Sequence, residues 1–189
     1  MVIKDFFPTP FLFHQVSPKI ANQVENIIVP RLSSLSKVDN VNTDFFNENK
    51  IIKLEEISEL YKEILKCKEF FEKNTNFTKS ILNEFWVQDY SHNQTHDTHN
   101  HGRNQLSIVY WVRANQDAGN FIVFDPKPQQ SLFHGSVKTH TKYTEFFVKV
   151  PPIKGGILIL PSYIDHRVEP GGPNCIRTTI AFNFYPNQL

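Results

Sequence analysis

The sequence has few cysteines, a single methionine and no long apolar run. Its two cysteines, Cys67 and Cys175, form no CxxC pair, which excludes a four-thiolate zinc site and favours a reduced, cytoplasmic setting. No apolar stretch approaches the roughly 20 residues that a membrane-spanning helix requires, so no membrane partner is expected. A formal net charge of +1 also lacks the basic excess that is typical of proteins binding bulk nucleic acid.

Aromatic and histidine side chains are abundant instead. The chain has 17 Phe, which predicts a core rich in aromatic rings. It also has 8 His, and the short segment at 91–102 contains His92, His96, His99 and His101. Because imidazole is a ligand of several transition metals, this clustering makes the segment the first candidate for a metal site.

Two predicted helices precede a long series of predicted strands. Ser17 as an N-cap, with Pro18 at the first helical position, predicts a helix that ends near Val29. An apolar stripe predicts a second helix at 54–73, and the polar, Asn-rich residues 39–50 predict a loop. Runs rich in β-branched and aromatic residues predict strands at 11–16, 85–90, 105–112, 120–124, 145–150, 156–160, 166–169 and 176–184.

This order of elements predicts a mainly β (α+β) fold. The strand spacing is typical of a double-stranded β-helix, or jelly-roll barrel, with the N-terminal helices packed on one face. No linker divides the chain, so a single domain is expected, with a helical N-terminal support at 1–80 and the jelly-roll core at 81–189. The long loop predicted at 125–143 fits either a lid over a site or a surface insertion.

The strongest chemical pattern is the HxH pair of His99 and His101, directly before the predicted strand QLSIVYWV. On an extended chain, residues two apart point to the same side, so both imidazoles can reach one metal ion. His166 follows the apolar run GGILILP and begins another predicted strand. A jelly roll brings distant strands together, and three protein ligands with open positions are typical of a catalytic metal site.

Arg177 begins the last predicted strand. Strict alternation places it on one face with Thr179 and Ala181, whereas Ile180 and Phe182 share the other face. An arginine that lines a barrel is costly unless it meets an anion, and its planar fork suits a carboxylate. A surface position or a structural salt bridge would also account for this arginine.

These pieces together resemble a family of 2-oxoglutarate/Fe(II)-dependent oxygenases known mostly from marine bacteria and tailed phages. The resemblance rests on HxH, LSIVYWV, a glycine before a short strand that ends in a DP pair (119–126), GILILPSYIDHRVEP and RTTIAFNF, and it extends to the opening FFPTPFLF. It implies Fe(II), the small-molecule co-substrate 2-oxoglutarate, O2, and hydroxylation of a substrate with release of succinate and CO2. The sequence identifies neither that substrate nor the oligomeric state.

The resemblance also assigns roles to individual residues. It implies that His99, His101 and His166 are metal ligands and that Arg177 binds the distal carboxylate of 2-oxoglutarate. From its position on the strand after the HxH pair, Tyr110 is expected to offer its hydroxyl to the same carboxylate.

The sequence leaves the identity of the second metal ligand undecided. The wider superfamily has HxD where this chain has HxH, so Asp97 or His96 remain alternatives to His101. Two other functions also remain open. One is a cupin-like metal-binding barrel without oxygenase activity, and the other is a barrel that has lost its chemistry and serves a structural role.

Overall fold

The computed structural model describes residues 8–127 and 145–187. Most of the predicted loop at 125–143, whether lid or surface insertion, therefore lies outside the described residues. The helices of the described part are α1 (Pro18–Ile28) and α2 (Ser58–Thr75), and neither is long and apolar enough to cross a membrane. The strands are β1 (Leu12–Gln15), β2 (Ser36–Val38), β3 (Val41–Thr43), β4 (Ser80–Tyr90), β5 (His96–His99), β6 (Leu106–Ala114), β7 (Phe121–Phe124), β8 (Phe147–Val150), β9 (Gly156–Pro161), β10 (His166–Val168) and β11 (Arg177–Pro186).

The strands form two antiparallel sheets. The major sheet has the order β1-β9-β6-β11-β4-β3-β2, and the minor sheet has the order β5-β10-β7-β8. Trp111 and Leu158 of the major sheet and Phe121 and Val168 of the minor sheet belong to one buried cluster, which fills the barrel interior. The predicted mainly β jelly roll is confirmed.

Both helices pack on the outer face of the major sheet. Ile28 of α1 and Ile64 of α2 join Ile108 and Phe182 of the sheet in a second buried cluster. The Oγ of Ser17 accepts a hydrogen bond from the N–H of Ile20, as the predicted N-cap requires. The sheet thus has a helix-covered face and a barrel-facing side.

The N-terminal 80 residues contribute strands as well as helices. Strands β2 and β3 form a hairpin within a region that the sequence predicted to be partly loop, and Thr43 pairs with Gln88 of β4. Asp39 in the hairpin turn has a left-handed backbone, with φ 49°, which Asp and Asn tolerate better than most residues. The hairpin extends the major sheet beside the cluster of histidines.

Candidate metal centre

Strand pairing brings three histidines together at the mouth of the barrel. His99 of β5 lies directly opposite His166 of β10 in the minor sheet. His101 follows β5, and its backbone N–H donates to the carbonyl of Ser162 at 2.8 Å. The ligand atoms of the three imidazoles lie within 4.8 Å of one another. Within 8–127 and 145–187, they are the only group of three or more His, Cys, Asp or Glu residues with this metal-binding geometry.

Backbone carbonyls orient two of the three rings. The Nδ1 of His99 lies 2.7 Å from the carbonyl oxygen of Asp97, and the Nδ1 of His166 lies 2.9 Å from that of Ile164. Because a carbonyl oxygen can only accept, each Nδ1 carries the proton and each Nε2 keeps a free lone pair. This is the tautomer that binds a metal ion through Nε2.

Side chains surround the third ring. The Nδ1 of His101 lies 2.8 Å from Nδ2 of Asn183, which also donates to Glu84 at 2.9 Å, while Oδ1 of Asn183 accepts from Ser107. In this orientation the amide donates to Nδ1, so the proton of His101 lies on Nε2. A metal ion on Nε2 of His101 therefore requires the amide of Asn183 to turn over and accept from Nδ1–H.

A β-bulge separates His96 and Asp97 from this triad. Val168 pairs with His96 while His166 pairs with His99, so β5 has one more residue than β10 over the same length. The bulge stacks the ring of His96 on that of His99, with centroids 4.0 Å apart, and leaves the side chain of Asp97 exposed. Neither alternate ligand belongs to the convergent group.

Burial keeps the histidines neutral. Desolvation, followed by repulsion from His99, lowers the pKa of His166 to about 3 and that of His101 to about 4. Desolvation and His99 likewise lower the pKa of His96 to about 4. At neutral pH these imidazoles are therefore free of the proton that would compete with a metal ion.

These pKa values predict a specific pH dependence for the metal-free protein. Since the pKa values of His101 and His166 lie below the ordinary 6.5, the unfolded chain takes up protons first as the pH falls. Stability is therefore complete above about pH 6.5 and lost progressively towards pH 4, by up to about 1.4 kcal/mol per pH unit for each histidine. Urea unfolding at pH 7.5, 6.0 and 5.0 measures this slope, and equal stabilities at the three values would contradict it.

Arg177 lies deeper in the barrel without an acidic partner. It is 1% exposed, its Nη1 donates to the carbonyl of Gly119 at 3.2 Å, and its Nε has no hydrogen-bond partner within 8–127 and 145–187. Its guanidinium lies over the ring of Tyr90, 5.2 Å from the centroid, and no carboxylate of the described chain forms an ion pair with it. Desolvation consequently lowers the pKa of Arg177. A buried guanidinium in this state has N–H groups that can donate to an anion.

The carbonyl that accepts from Arg177 belongs to a glycine that the neighbouring backbone requires. Gly119 has a φ of 67°, and a Cβ at this position would lie 2.6 Å from the carbonyl oxygen of Glu169. Only glycine fits this position without displacing the neighbouring backbone.

Arg177 and the three histidines line one inner cavity, together with Gln88, Tyr90, Phe121 and Thr179, among others. The cavity has a volume of about 30 Å³, the size of a water molecule. A five-carbon diacid is several times larger.

Tyr110, which the sequence analysis expected to contact the co-substrate, does not line this cavity. Its side chain belongs to the buried cluster beneath the helices, with Ile108 and Val112, whereas Val109 lines the inner cavity. The alternation of β6 therefore points Tyr110 away from the barrel interior.

The tyrosine beside Arg177 is Tyr90, which the sequence analysis did not single out. Tyr90 pairs with Arg177 across β4 and β11, a register that is not readable from either strand alone. Trp111 also lies in the interior cluster, and its indole N–H is buried without a partner. Asn183 was missed too, although alternation along β11 places it on the same face as Arg177.

A jelly roll with a histidine triad at its mouth and a buried, unpaired arginine within belongs to the metal-dependent barrel enzymes. Residues 84–183, more than half of the chain, match the family described as "Putative 2OG-Fe(II) oxygenase". The chain therefore belongs to the 2OG-Fe(II) oxygenase family and is an oxidoreductase.

Solved structures of other proteins share the fold of this chain. An oxidoreductase of the 2OG-Fe(II) oxygenase family from Burkholderia pseudomallei is 11% identical, with a TM-score of 0.62 over 94% of this chain and 84% of that one. A prolyl hydroxylase from Trichoplax adhaerens is 13% identical, with a TM-score of 0.64 and coverages of 93% and 83%. A prolyl-4-hydroxylase from Pseudomonas putida is 12% identical, with a TM-score of 0.63 and coverages of 95% and 94%. Such low identities establish the fold alone. No curated protein sequence matches the chain.

Proposed function

We propose that this protein is a 2-oxoglutarate- and Fe(II)-dependent dioxygenase that hydroxylates a substrate and releases succinate and CO2. The observation that carries the proposal is the guanidinium of Arg177, which is buried, lacks a carboxylate partner and lines the same cavity as the histidine triad. A candidate metal site next to a buried guanidinium suits a co-substrate that carries a metal-binding group at one end and a carboxylate at the other.

Different residues of the chain would bind the metal ion and the co-substrate. His99, His101 and His166 would hold Fe(II) as neutral donors and leave the remaining coordination positions open. When bound, Fe(II), 2-oxoglutarate and O2 supply the oxidising chemistry for hydroxylation. Arg177 would anchor the distal carboxylate through its N–H groups, and the surrounding aromatic rings would exclude water.

A metal-binding barrel without a co-substrate accounts less well for the same residues. It would leave the charge of Arg177 desolvated with no anion to offset the cost. The proposed co-substrate supplies that anion.

The proposal is tested by measuring succinate formed from 2-oxoglutarate by the Fe(II)-loaded protein without added substrate, as uncoupled turnover. We expect succinate above background, which disappears in His166→Ala and in Arg177→Met. His92→Ala is the matched control, since His92 is exposed and lies outside the triad. Absence of succinate from the loaded protein, or equal amounts from wild type and Arg177→Met, would refute the proposal.

The ligand set is a separate prediction. We expect His101→Ala to weaken metal binding by at least about 100-fold, because a donor of the convergent group is lost. His96→Ala and Asp97→Asn should bind the metal within about threefold of wild type, because the bulge keeps both side chains out of that group. Titration with Mn(II), followed by the loss of the free-ion EPR signal, compares the three variants. A greater loss in Asp97→Asn than in His101→Ala would assign the second position to the carboxylate.

A further inference from the structure

A second, larger cavity of about 440 Å³ opens onto the histidine cluster. It shares five lining residues with the inner cavity, namely Trp86, Gln88, His96, His99 and His101. The β2–β3 hairpin forms one wall, and β5 with the residues that follow it forms another. This outer cavity leads to the metal centre, and the inference below rests on the proposed function because it treats the cavity as the entry for the primary substrate.

The charged side chains that line the described part of the outer cavity are carboxylates. Asp39 projects from the hairpin and Asp97 from β5, while the described residues that line the cavity include no Lys or Arg. Neither carboxylate forms an ion pair within the described ranges.

Aromatic rings form the apolar part of the wall. Phe45 packs edge-on against Trp86 and against Phe46, with ring centroids 4.8 Å apart in both pairs. Phe46 is 72% exposed, which is unusual for so large an apolar side chain. Aromatic faces beside carboxylates attract organic cations through both the ring quadrupoles and the charges.

A polar side chain between the two cavities adds an independent observation. Gln88 is 7% exposed and lines both cavities, and its amide nitrogen lies 3.4 Å from Nδ1 of His96. Its amide oxygen has no hydrogen-bond partner among the residues described. An acceptor without a partner in the described part of the protein suits a ligand that donates N–H groups.

From these contacts we infer that the primary substrate carries a protonated amine, held between Asp39 and Asp97 against the rings of Phe45, Phe46 and Trp86. The amine anchors the substrate in the outer cavity, and the carbon chain attached to it extends towards the histidine triad. An anionic substrate is disfavoured by the same two carboxylates.

Calorimetric titration of the Mn(II)- and 2-oxoglutarate-loaded protein tests the inference with two probes of similar size, benzylamine and benzyl alcohol. We expect the protonated amine to bind roughly tenfold more tightly than the alcohol. In the double variant Asp39→Asn/Asp97→Asn that preference should fall to about twofold or less. Asn is the matched replacement, since it tolerates the left-handed backbone of position 39 and keeps the shape of both side chains.

Each result of the titration supports or contradicts the amine inference. A preference for the amine that persists in the double variant would mean that the amine binds the metal ion, and it would overturn the inference. Equal affinities of both probes for the wild type, or no binding of either, would overturn it as well. Succinate formation without amine preference would count against this inference alone, whereas amine binding without succinate formation would count against the proposed function alone.

Discussion

Arg177→Met is expected to weaken 2-oxoglutarate binding strongly and, at the same time, to stabilise the ligand-free protein. The native guanidinium is 1% exposed, has an Nε without a partner and lacks a carboxylate among the described residues. Methionine has a similar length, carries no charge and suits the apolar interior around Trp111 and Phe121. The substitution therefore removes a desolvation cost from the free protein and an anion-binding group from the complex.

The expected loss of 2-oxoglutarate affinity and the expected gain in stability of the ligand-free protein have different magnitudes. Loss of one partner of a buried, hydrogen-bonded charge pair costs about 2–5 kcal/mol, which weakens 2-oxoglutarate binding roughly 30- to 5,000-fold. Replacing buried charge by apolar side chains raises stability by about 1–4 kcal/mol in comparable cases. Calorimetry with 2-oxoglutarate measures the first effect, and urea unfolding of the ligand-free protein measures the second.

Arg113→Met provides the matched control for the stability effect. Arg113 donates to Asp89 at 3.2 Å and to Thr178 at 2.7 Å, so its charge has a partner within the protein. Its removal leaves the carboxylate of Asp89 without the guanidinium and should destabilise the fold by about 1–3 kcal/mol. If Arg177→Met destabilised the protein as Arg113→Met does, the guanidinium of Arg177 would serve the fold rather than a ligand.

His166→Gln is expected to eliminate metal binding. His166 is 4% exposed, and its ring centroid lies 4.4 Å from that of His99 and 5.2 Å from that of His101. It is therefore the most buried of the three imidazoles and contacts both others. We expect the affinity for Mn(II) to fall by more than about 100-fold.

Metal-dependent stability provides a second measurement of the same loss. An ion present at 100 times its Kd stabilises the folded state by about 2.7 kcal/mol, so the melting temperature of the wild type should rise on metal addition. This rise should vanish in His166→Gln and persist in His92→Ala. Glutamine keeps much of the side-chain volume against Phe121, whose ring stacks on His166 at 5.1 Å, so the variant retains packing that alanine would lose. An unchanged metal-induced rise in His166→Gln would exclude His166 as a ligand.

The sequence predicted the elements whose causes are local. The N-cap of Ser17 depends on neighbours along the chain, and it places the start of α1 at Pro18 as observed. Alternation along β11 likewise separates Arg177 and Thr179, which line the inner cavity, from Ile180 and Phe182, which pack beneath the helices. The jelly roll, the oxygenase family, the three convergent histidines and Arg177 were within reach of such patterns.

Only the tertiary structure decided which way the side chains of β5 and β6 point. Both faces of β6 are largely apolar, so its sequence does not show that Tyr110 faces the helices and Val109 the cavity. The bulge of β5, which stacks His96 on His99 and exposes Asp97, arises from pairing with β10.

Pairing between distant strands also explains why the β2–β3 hairpin lies beside the outer cavity and why Tyr90 contacts Arg177. Strand register depends on a partner that is distant in the chain, and a shift by one residue moves every side chain to the opposite face. Local composition therefore determined which residues carry the chemistry of this protein. The pairing of remote strands determined which of them meet.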